Sequence, residues 1–235
     1  MQYTFTYPPL PSLARLRDIY RDHPGVSCLR ALEYEQLRAV PLAGRVLDVG
    51  GGDKARYRSQ LPANIDYGSV NIDPAIAPTY TVAPGEPFPI GDDVYDCCLC
   101  MNTLEHVYDA RFVLSEIRRV LKPGGTAYIT VPFIFRVHGH PDDYFRGTTS
   151  WWRETLSREG FDAAEICPLV WGRATTADSI KGTSGLFPGL RSRLAHLSDI
   201  AYARATSRSG NGRYEGKRGD RISAVALGYF ITARK

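Results

Sequence analysis

The sequence predicts an α/β protein built on a doubly wound, mostly parallel sheet. Short apolar runs alternate with helical patterns, and a compact run, Arg45 to Asp53, empties into three glycines. An acidic residue, Asp73, closes the next run about twenty residues later, where a nucleotide-binding sheet places one. In such a sheet the ligand lies across the carboxyl ends of the strands. With 235 residues the chain suits one substantial domain with appendages. A hydrophobic share of 43% against 23% charged excludes a disordered or fibrous chain.

Residues 1–43 carry two helical patterns, Ser12 to Arg21 and Val26 to Arg38, before Pro41 and Gly44. We read them as an N-terminal helical cap, followed by a main domain over 44–235. Strands are expected at RVLDV, at Tyr67 to Ile72 and at Val94 to Met101. A helix is expected from Asp109 to Leu121 with Phe112, Ile117, Val120 and Leu121 inward, stopped by Lys122-Pro123-Gly124-Gly125. Then follow a strand in TAYITVPF, a helix from Ser150 to Glu159, a strand from Phe161 to Val170 and a last strand from Ile222. The insertion at about 172–221 exceeds an ordinary connection. Within it Leu186, Leu190, Leu194, Leu197 and Ile200 recur at helical spacing, and Ser207 to Gly219 reads as a loop.

Of the five cysteines, Cys97, Cys98 and Cys100 share one strand, where alternation sends neighbours to opposite faces and reduced core thiols are expected. The N-terminus has no signal-peptide apolar core, and no window reaches the roughly 18 apolar residues of a membrane span, so a cytoplasmic protein is expected. The formal charge of +4 is mild and gathers late, in Arg191, Arg193, Arg204, Arg208, Arg213, Lys217, Arg218 and Arg221. It permits a nucleic-acid partner without requiring one.

Glycines at 50, 51 and 52 let backbone approach a ligand, and Asp73 can accept hydrogen bonds from both ribose hydroxyls. A plain tight turn with a loop-capping Asp is the alternative. Gly50-x-Gly52-x-x-Ala55 with Asp73 also satisfies a loose dinucleotide fingerprint, so these residues alone do not choose the cofactor. The later segments VYDCCLCMNTLEHV and VLKPGGTAYITVPF do. With them, the chain resembles the class I S-adenosylmethionine-dependent methyltransferases, particularly the branch labelled methyltransferase type 11, from about Arg45 to Phe161 and weakly again at the final strand.

That resemblance implies a Rossmann-like, seven-stranded sheet with an antiparallel C-terminal edge strand, and S-adenosyl-L-methionine as cofactor. It implies that Asp48, Gly50, Gly51 and Gly52 hold the methionine part, that Asp73 holds the ribose and that Asn102 lines the pocket. Two departures stand out: the usual third glycine falls at Lys54, and the acidic residue for the adenine amino group falls near Val82, with Glu86 and Asp92 the nearest acids.

A second polar cluster, RVHGHPDDYFRGT, spans Arg136 to Thr148 after the fifth strand of that pattern. Methyl transfer mainly needs alignment and exclusion of water, with a base where the acceptor loses a proton. His140 leads as that base, then His106 and His138; bracing the loop is their alternative role. Asp142, Tyr144 and Arg146 either contact substrate or hold the loop, and related methyltransferases carry a similar H-x-x-D-Y-F-R-x-T run. His138-x-His140 with Asp142 and Asp143 also has the chemistry of a metal site, but the loop's own hydrogen bonds account for them and no metal is assigned. Trp151, Trp152 and Trp171 fit the core better than a pocket wall.

The expected function is methyl transfer to O or N of a small molecule, a specialised metabolite or a sugar derivative. The insertion is expected to form a lid or a homodimer interface, with a membrane-surface helix the lesser reading. The rivals are a nucleic-acid methyltransferase, a NAD-dependent oxidoreductase and a binding protein that kept the fold without turnover.

Overall fold

Alternating burial along each apolar run builds the sheet. Val46 and Cys97 face one side while their neighbours Leu47 and Cys98 face the other, and all four are buried. The computed structural model describes residues 1–235 apart from 22, 140–141, 208–212 and 215–221. Its strands are β1 (Gln2–Phe5), β2 (Arg45–Val49), β3 (Asp66–Asn71), β4 (Tyr80–Thr81), β5 (Tyr95–Met101), β6 (Leu121–Pro132), β7 (Ala163–Leu169) and β8 (Gly228–Arg234). They form one sheet in the order β1-β7-β8-β6-β5-β2-β3-β4, parallel except for β8. The doubly wound, mostly parallel architecture is therefore as expected, with eight strands in place of seven. The antiparallel C-terminal strand is held on both sides, by β6 and β7, and β1 takes the place outside β7. The segment 1–43 thus supplies a strand as well as its two helices.

Those helices are α1 (Leu13–Tyr20) and α2 (Cys28–Ala39); α3 (Ala110–Val120), α4 (Thr149–Arg158), α5 (Arg173–Lys181) and α6 (Pro188–Thr206) follow. Ser12, Ser27, Asp109 and Thr148 cap the first four, each side chain accepting from the amide three residues on. Helices α1 and α2 cover the sheet face that carries Val46, Cys97, Leu99 and Met101. Helices α3 and α4 cover the face of Leu47, Cys98, Cys100 and Ile129 through Leu114, Ile117, Val120, Trp152 and Leu156. Phe112 is half-buried at the rim of that layer. All five cysteines are buried and free, as core thiols. Trp152 and Trp171 are fully buried.

Between β2 and β3 the chain makes only a 3-10 turn at Arg58–Gln60, where a helix would complete the layer. Winding passes from β2 outward to β3 and β4, then returns to β5 on the other side of β2. The winding direction therefore reverses between β2 and β5, and a crevice opens above their carboxyl ends.

The insertion holds α5 and α6, and its leucines correct the expectation. Leu186, Leu190, Leu194 and Leu197 face solvent, whereas His196, Asp199, Ile200 and Ala203 form the buried stripe. Polar seating sets this orientation. The Asp199 carboxylate accepts from the free amides of Ala174 (3.0 Å) and Thr175 (2.8 Å) at the start of α5, and Trp171 Nε1 donates to the His196 carbonyl at 3.3 Å. The expected loop at Ser207 to Gly219 lies mostly outside the described residues. Among the described residues, no helix is long and apolar enough to cross a membrane.

Replacing Ile200 by Ala should cost about 2–4 kcal/mol, a fall in Tm of roughly 4–16 °C for a chain of this size. Leu194→Ser should stay within about 0.5 kcal/mol of the parent. Thermal denaturation of the two variants checks the inversion, and the reverse ranking would contradict it.

Candidate active site

Gly50 leaves β2 with φ +85°, its amide donating to the Val70 carbonyl at 2.8 Å. Such a φ suits glycine, and a Cβ there would also strike the Thr103 side chain. A Cβ on Gly51 would strike the Asp48 carboxylate, and one on Gly52 the Ile76 carbonyl. The turn is stitched to its neighbours: Asn71 Nδ2 donates to the carbonyls of Gly50 (2.6 Å) and Gly51 (3.2 Å), and Thr103 Oγ1 to that of Val49 (3.2 Å). The amide of Lys54, at the family's third-glycine position, donates to the Ile76 carbonyl at 3.2 Å.

Asp48 lies under this turn, fully buried. Its carboxylate accepts from the hydroxyls of Tyr57 (2.9 and 3.0 Å) and Tyr67 (2.8 Å). Burial pushes its pKa up to about 6, against the stabilising pull of the two hydroxyls and Arg58. Asp73, half-buried beyond β3, accepts from the Ala75 amide at 2.8 Å with Oδ1, and its own amide donates to Asn71 Oδ1 at 3.0 Å. Across the crevice, Asn102 ends β5 at φ +50°, a left-handed conformation that Asn tolerates. Its amide is tied to Thr130, while its side-chain Oδ1 is buried without a hydrogen-bond partner among the described residues. Asp92 is occupied by Arg119 at 2.8 Å.

The loop after β6 folds back over the turn after β5. The Tyr144 amide donates to the Glu105 carbonyl at 2.8 Å, and His106 Nδ1 to the Asp142 carbonyl. Asp143 is the hub of this loop: Arg146 grips both its oxygens, and the His138 amide donates to it at 2.8 Å. The Arg146 guanidinium holds the Asp143 pKa down at about 2. His138 Nδ1 lies 3.1 Å from the Arg136 carbonyl, and its ring meets that of His106 edge to face at 5.1 Å. Burial lowers the His138 pKa. His140 lies outside the described residues. Beyond the turn after β5, Tyr108 (86% exposed) and Tyr144 (49%) pack edge to face at 5.7 Å, and Val137 on the same loop as Tyr144 is also exposed. Tyr144 Oη donates to the Asp142 carboxylate at 3.2 Å.

Two buried acids escaped the sequence reading. Glu105, 1% exposed, and Glu33, 0%, have neither carboxylate oxygen hydrogen-bonded among the described residues. Arg30 stands 3.3 Å from Glu33. Burial raises both pKa values, that of Glu105 to about 8, with the Glu33 charge among the lesser contributors. A signal for Glu33 was present, since Leu29, Glu33 and Leu37 repeat every fourth residue on the buried face of α2.

Residues 47–129, the stretch that carries the glycine turn, Asp73 and Asn102, match the methyltransferase domain family. Over that stretch the chain carries a methyltransferase domain similar to those of the class I S-adenosylmethionine-dependent methyltransferases. An uncharacterised methyltransferase of Mycobacterium bovis is 34% identical over 101 residues, covering 38% of this chain and 40% of the relative. The chain thus spans about two-fifths of the length of the curated relatives it matches. Its fold is that of the methyltransferase from Thermotoga maritima (TM-score 0.56, 14% identity, 94% of each chain). A methyltransferase of Archaeoglobus fulgidus shares it too, at a TM-score of 0.54 and 15% identity over 95% of this chain and 100% of that one. The match points to S-adenosylmethionine as the cofactor of this domain.

Two outcomes follow for the site. Tyr57→Phe strips a hydrogen bond from a buried carboxylate and should cost about 1–3 kcal/mol; a variant as stable as the parent in urea denaturation would show that the turn does not lean on that contact. Asp143→Asn leaves Arg146 without its partner and should cost about 3 kcal/mol at pH 7. The folded pKa of Asp143 lies below its unfolded value near 3.9, so the pair's contribution is complete above that value and fades as pH falls towards 2. Calorimetric scans from about pH 6 to 3 should find the gap between variant and parent narrowing with acid, and a gap that widens would refute the ionised pair.

Proposed function

We propose that this methyltransferase transfers the methyl group of S-adenosylmethionine to an oxygen or nitrogen of a small molecule bound between the crevice and the loop after β6. The observation that carries the reading is the convergence of cofactor-type and acceptor-type groups above the carboxyl ends of β2 and β5. The residues fit the cofactor. The glycine turn is a cradle in which any Cβ collides, Asp73 uses one carboxylate oxygen locally and keeps the other for a ribose, and Asn102 offers a buried, unpartnered Oδ1 among the described residues. Asp48 acts from below, shaping the turn for the methionine part with its carboxylate spent on the two tyrosines.

S-adenosylmethionine, when bound, supplies a methyl group already activated as a sulfonium. The chain's own work is then to orient the acceptor and exclude water. Tyr108, Tyr144 and Val137 give the mouth an apolar rim of the kind that accepts a small organic body. His106 and His138 stand behind it, each anchored through Nδ1 to a backbone carbonyl, which leaves Nε2 of the neutral ring as an electron-pair donor. Such a donor can take a proton from the acceptor or ligate a cation. Asp143 and Arg146 support this arrangement by fixing the loop, and Tyr144 offers a contact surface.

Isothermal titration with S-adenosylhomocysteine should give micromolar binding, weakened at least tenfold by Asp73→Ala, which corresponds to about 1.4 kcal/mol. Binding of NAD with indifference to S-adenosylhomocysteine would overturn the assignment in favour of an oxidoreductase.

A further inference from the structure

At the inner end of the acceptor side, three side chains converge on a point that methyl transfer alone does not explain. We propose that Glu105, His106 and His138 form a site for one first-row divalent metal ion of the zinc or cobalt type.

One ligand atom from each residue lies within 4.8 Å of the others. Their chemistry is a carboxylate with two imidazoles, a donor set that suits zinc, cobalt, iron or nickel better than the all-oxygen preference of magnesium or calcium. Glu105 supplies the independent indication. Its side chain is 1% exposed, and both oxygens are unpartnered among the described residues. Its nearest cationic candidate, His106 Nε2, stands 3.6 Å from Oε1, beyond hydrogen-bond distance. A carboxylate taken out of water with no hydrogen bond is costly, and a cation at that point would repay much of the cost.

The imidazoles are also oriented as ligands are. A carbonyl oxygen only accepts, so the contact of His106 Nδ1 with the Asp142 carbonyl puts the proton on Nδ1. In the neutral ring Nε2 then turns a lone pair towards Glu105 Oε1, and a metal ion entering between them would displace the proton that the buried acid otherwise holds. His138 Nδ1 is likewise held by a carbonyl, that of Arg136 at 3.1 Å, with Asp143 Oδ2 3.4 Å away. Carbonyl acceptors behind metal-bound histidines fix ring and tautomer in this way. Zinc bonds of about 2.0–2.2 Å require the ligand atoms to draw together by roughly 1 Å, and the half-buried His138, on the loop after β6, is the one placed to move.

Three protein ligands leave at least one coordination position open. An acceptor hydroxyl occupying one would become more acidic and release its proton to water at neutral pH. Its oxygen lone pair would then form the new O–CH3 bond as the S–CH3 bond breaks, the bonding electrons remaining on the sulfur of S-adenosylhomocysteine. That consequence rests on the proposed methyl transfer; ion binding itself does not, and it points to acceptors bearing oxygen donors.

The test uses the full chain freed of any affinity tag and stripped with EDTA, titrated with zinc(II) and cobalt(II) by calorimetry and visible absorption. The expected result is one ion per chain at micromolar affinity or tighter, weakened at least tenfold in Glu105→Gln, His106→Ala and His138→Ala. His138 is 40% exposed, so its replacement keeps the fold even if Glu105→Gln does not. Each variant is titrated in parallel with S-adenosylhomocysteine. Metal binding lost while S-adenosylhomocysteine binding persists supports the site. A parent protein that binds neither ion, or a His138→Ala protein that binds as the parent does, overturns it. One ion bound by a parent that ignores S-adenosylhomocysteine would leave the metal site standing and remove the methyltransferase reading.

Discussion

The site depends first on a carboxylate that never reaches its surface. Asp48 is sealed beneath the glycine turn, and the hydroxyls of Tyr57 and Tyr67 are what make that burial tolerable. Tyr57 lies on the connection that lacks a helix, so the same contact that satisfies Asp48 also pins residues 50–65 to the sheet. Gly51 must be glycine because the carboxylate occupies the space of its Cβ. The cofactor turn is therefore a consequence of packing from below as much as of any ligand from above.

On the other side of the crevice the controlling device is a loop that satisfies itself. Asp143 gathers the Arg146 guanidinium and the His138 amide, and this closes the loop tightly enough for the Asp142 and Arg136 carbonyls to meet two imidazoles. Within the run of His, Asp and Arg, Asp143 and Arg146 are thus a structural pair, and His138 is held by them facing His106. Conserving the charge of Arg146 without its fork would not preserve that geometry, because a lysine cannot grip both oxygens of Asp143.

How far the sequence carried follows from the range of each interaction. Strand alternation, the glycine turn and the acid closing β3 are local, and all were legible, down to Cys97 and Cys98 parting to opposite faces. The orientation of α6 was not. Its leucine period is genuine, yet helix facing was decided by Asp199 meeting the α5 amides and by Trp171 meeting the His196 carbonyl, contacts that no period encodes. Strand β1 was missed because four residues with half-exposed alternation give little signal before pairing with β7. His106 drew notice from its place beyond a strand end, while Glu105 beside it carried no periodic signal, because its burial comes from the loop after β6 folding back over it.

Glu33 on α2 and the pair Asn102 and Glu105 beyond β5 come from two distant segments, yet all three bury side-chain oxygens without a hydrogen bond among the described residues, and the Glu33 charge is felt at Glu105. Each such group costs on the order of 1–3 kcal/mol or more, and a chain selected for stability alone would have replaced at least one acid with a hydrocarbon of similar size. Glu33 comes from the N-terminal helices and Glu105 from the end of β5, so the first segment of the chain is tied to the site electrostatically as well as through the sheet. Polar strain concentrated at one point is what a fold retains when a ligand is to supply the missing partners. The arrangement of these oxygens, more than any single motif, supports the carboxyl end of β5 as the proposed ligand site.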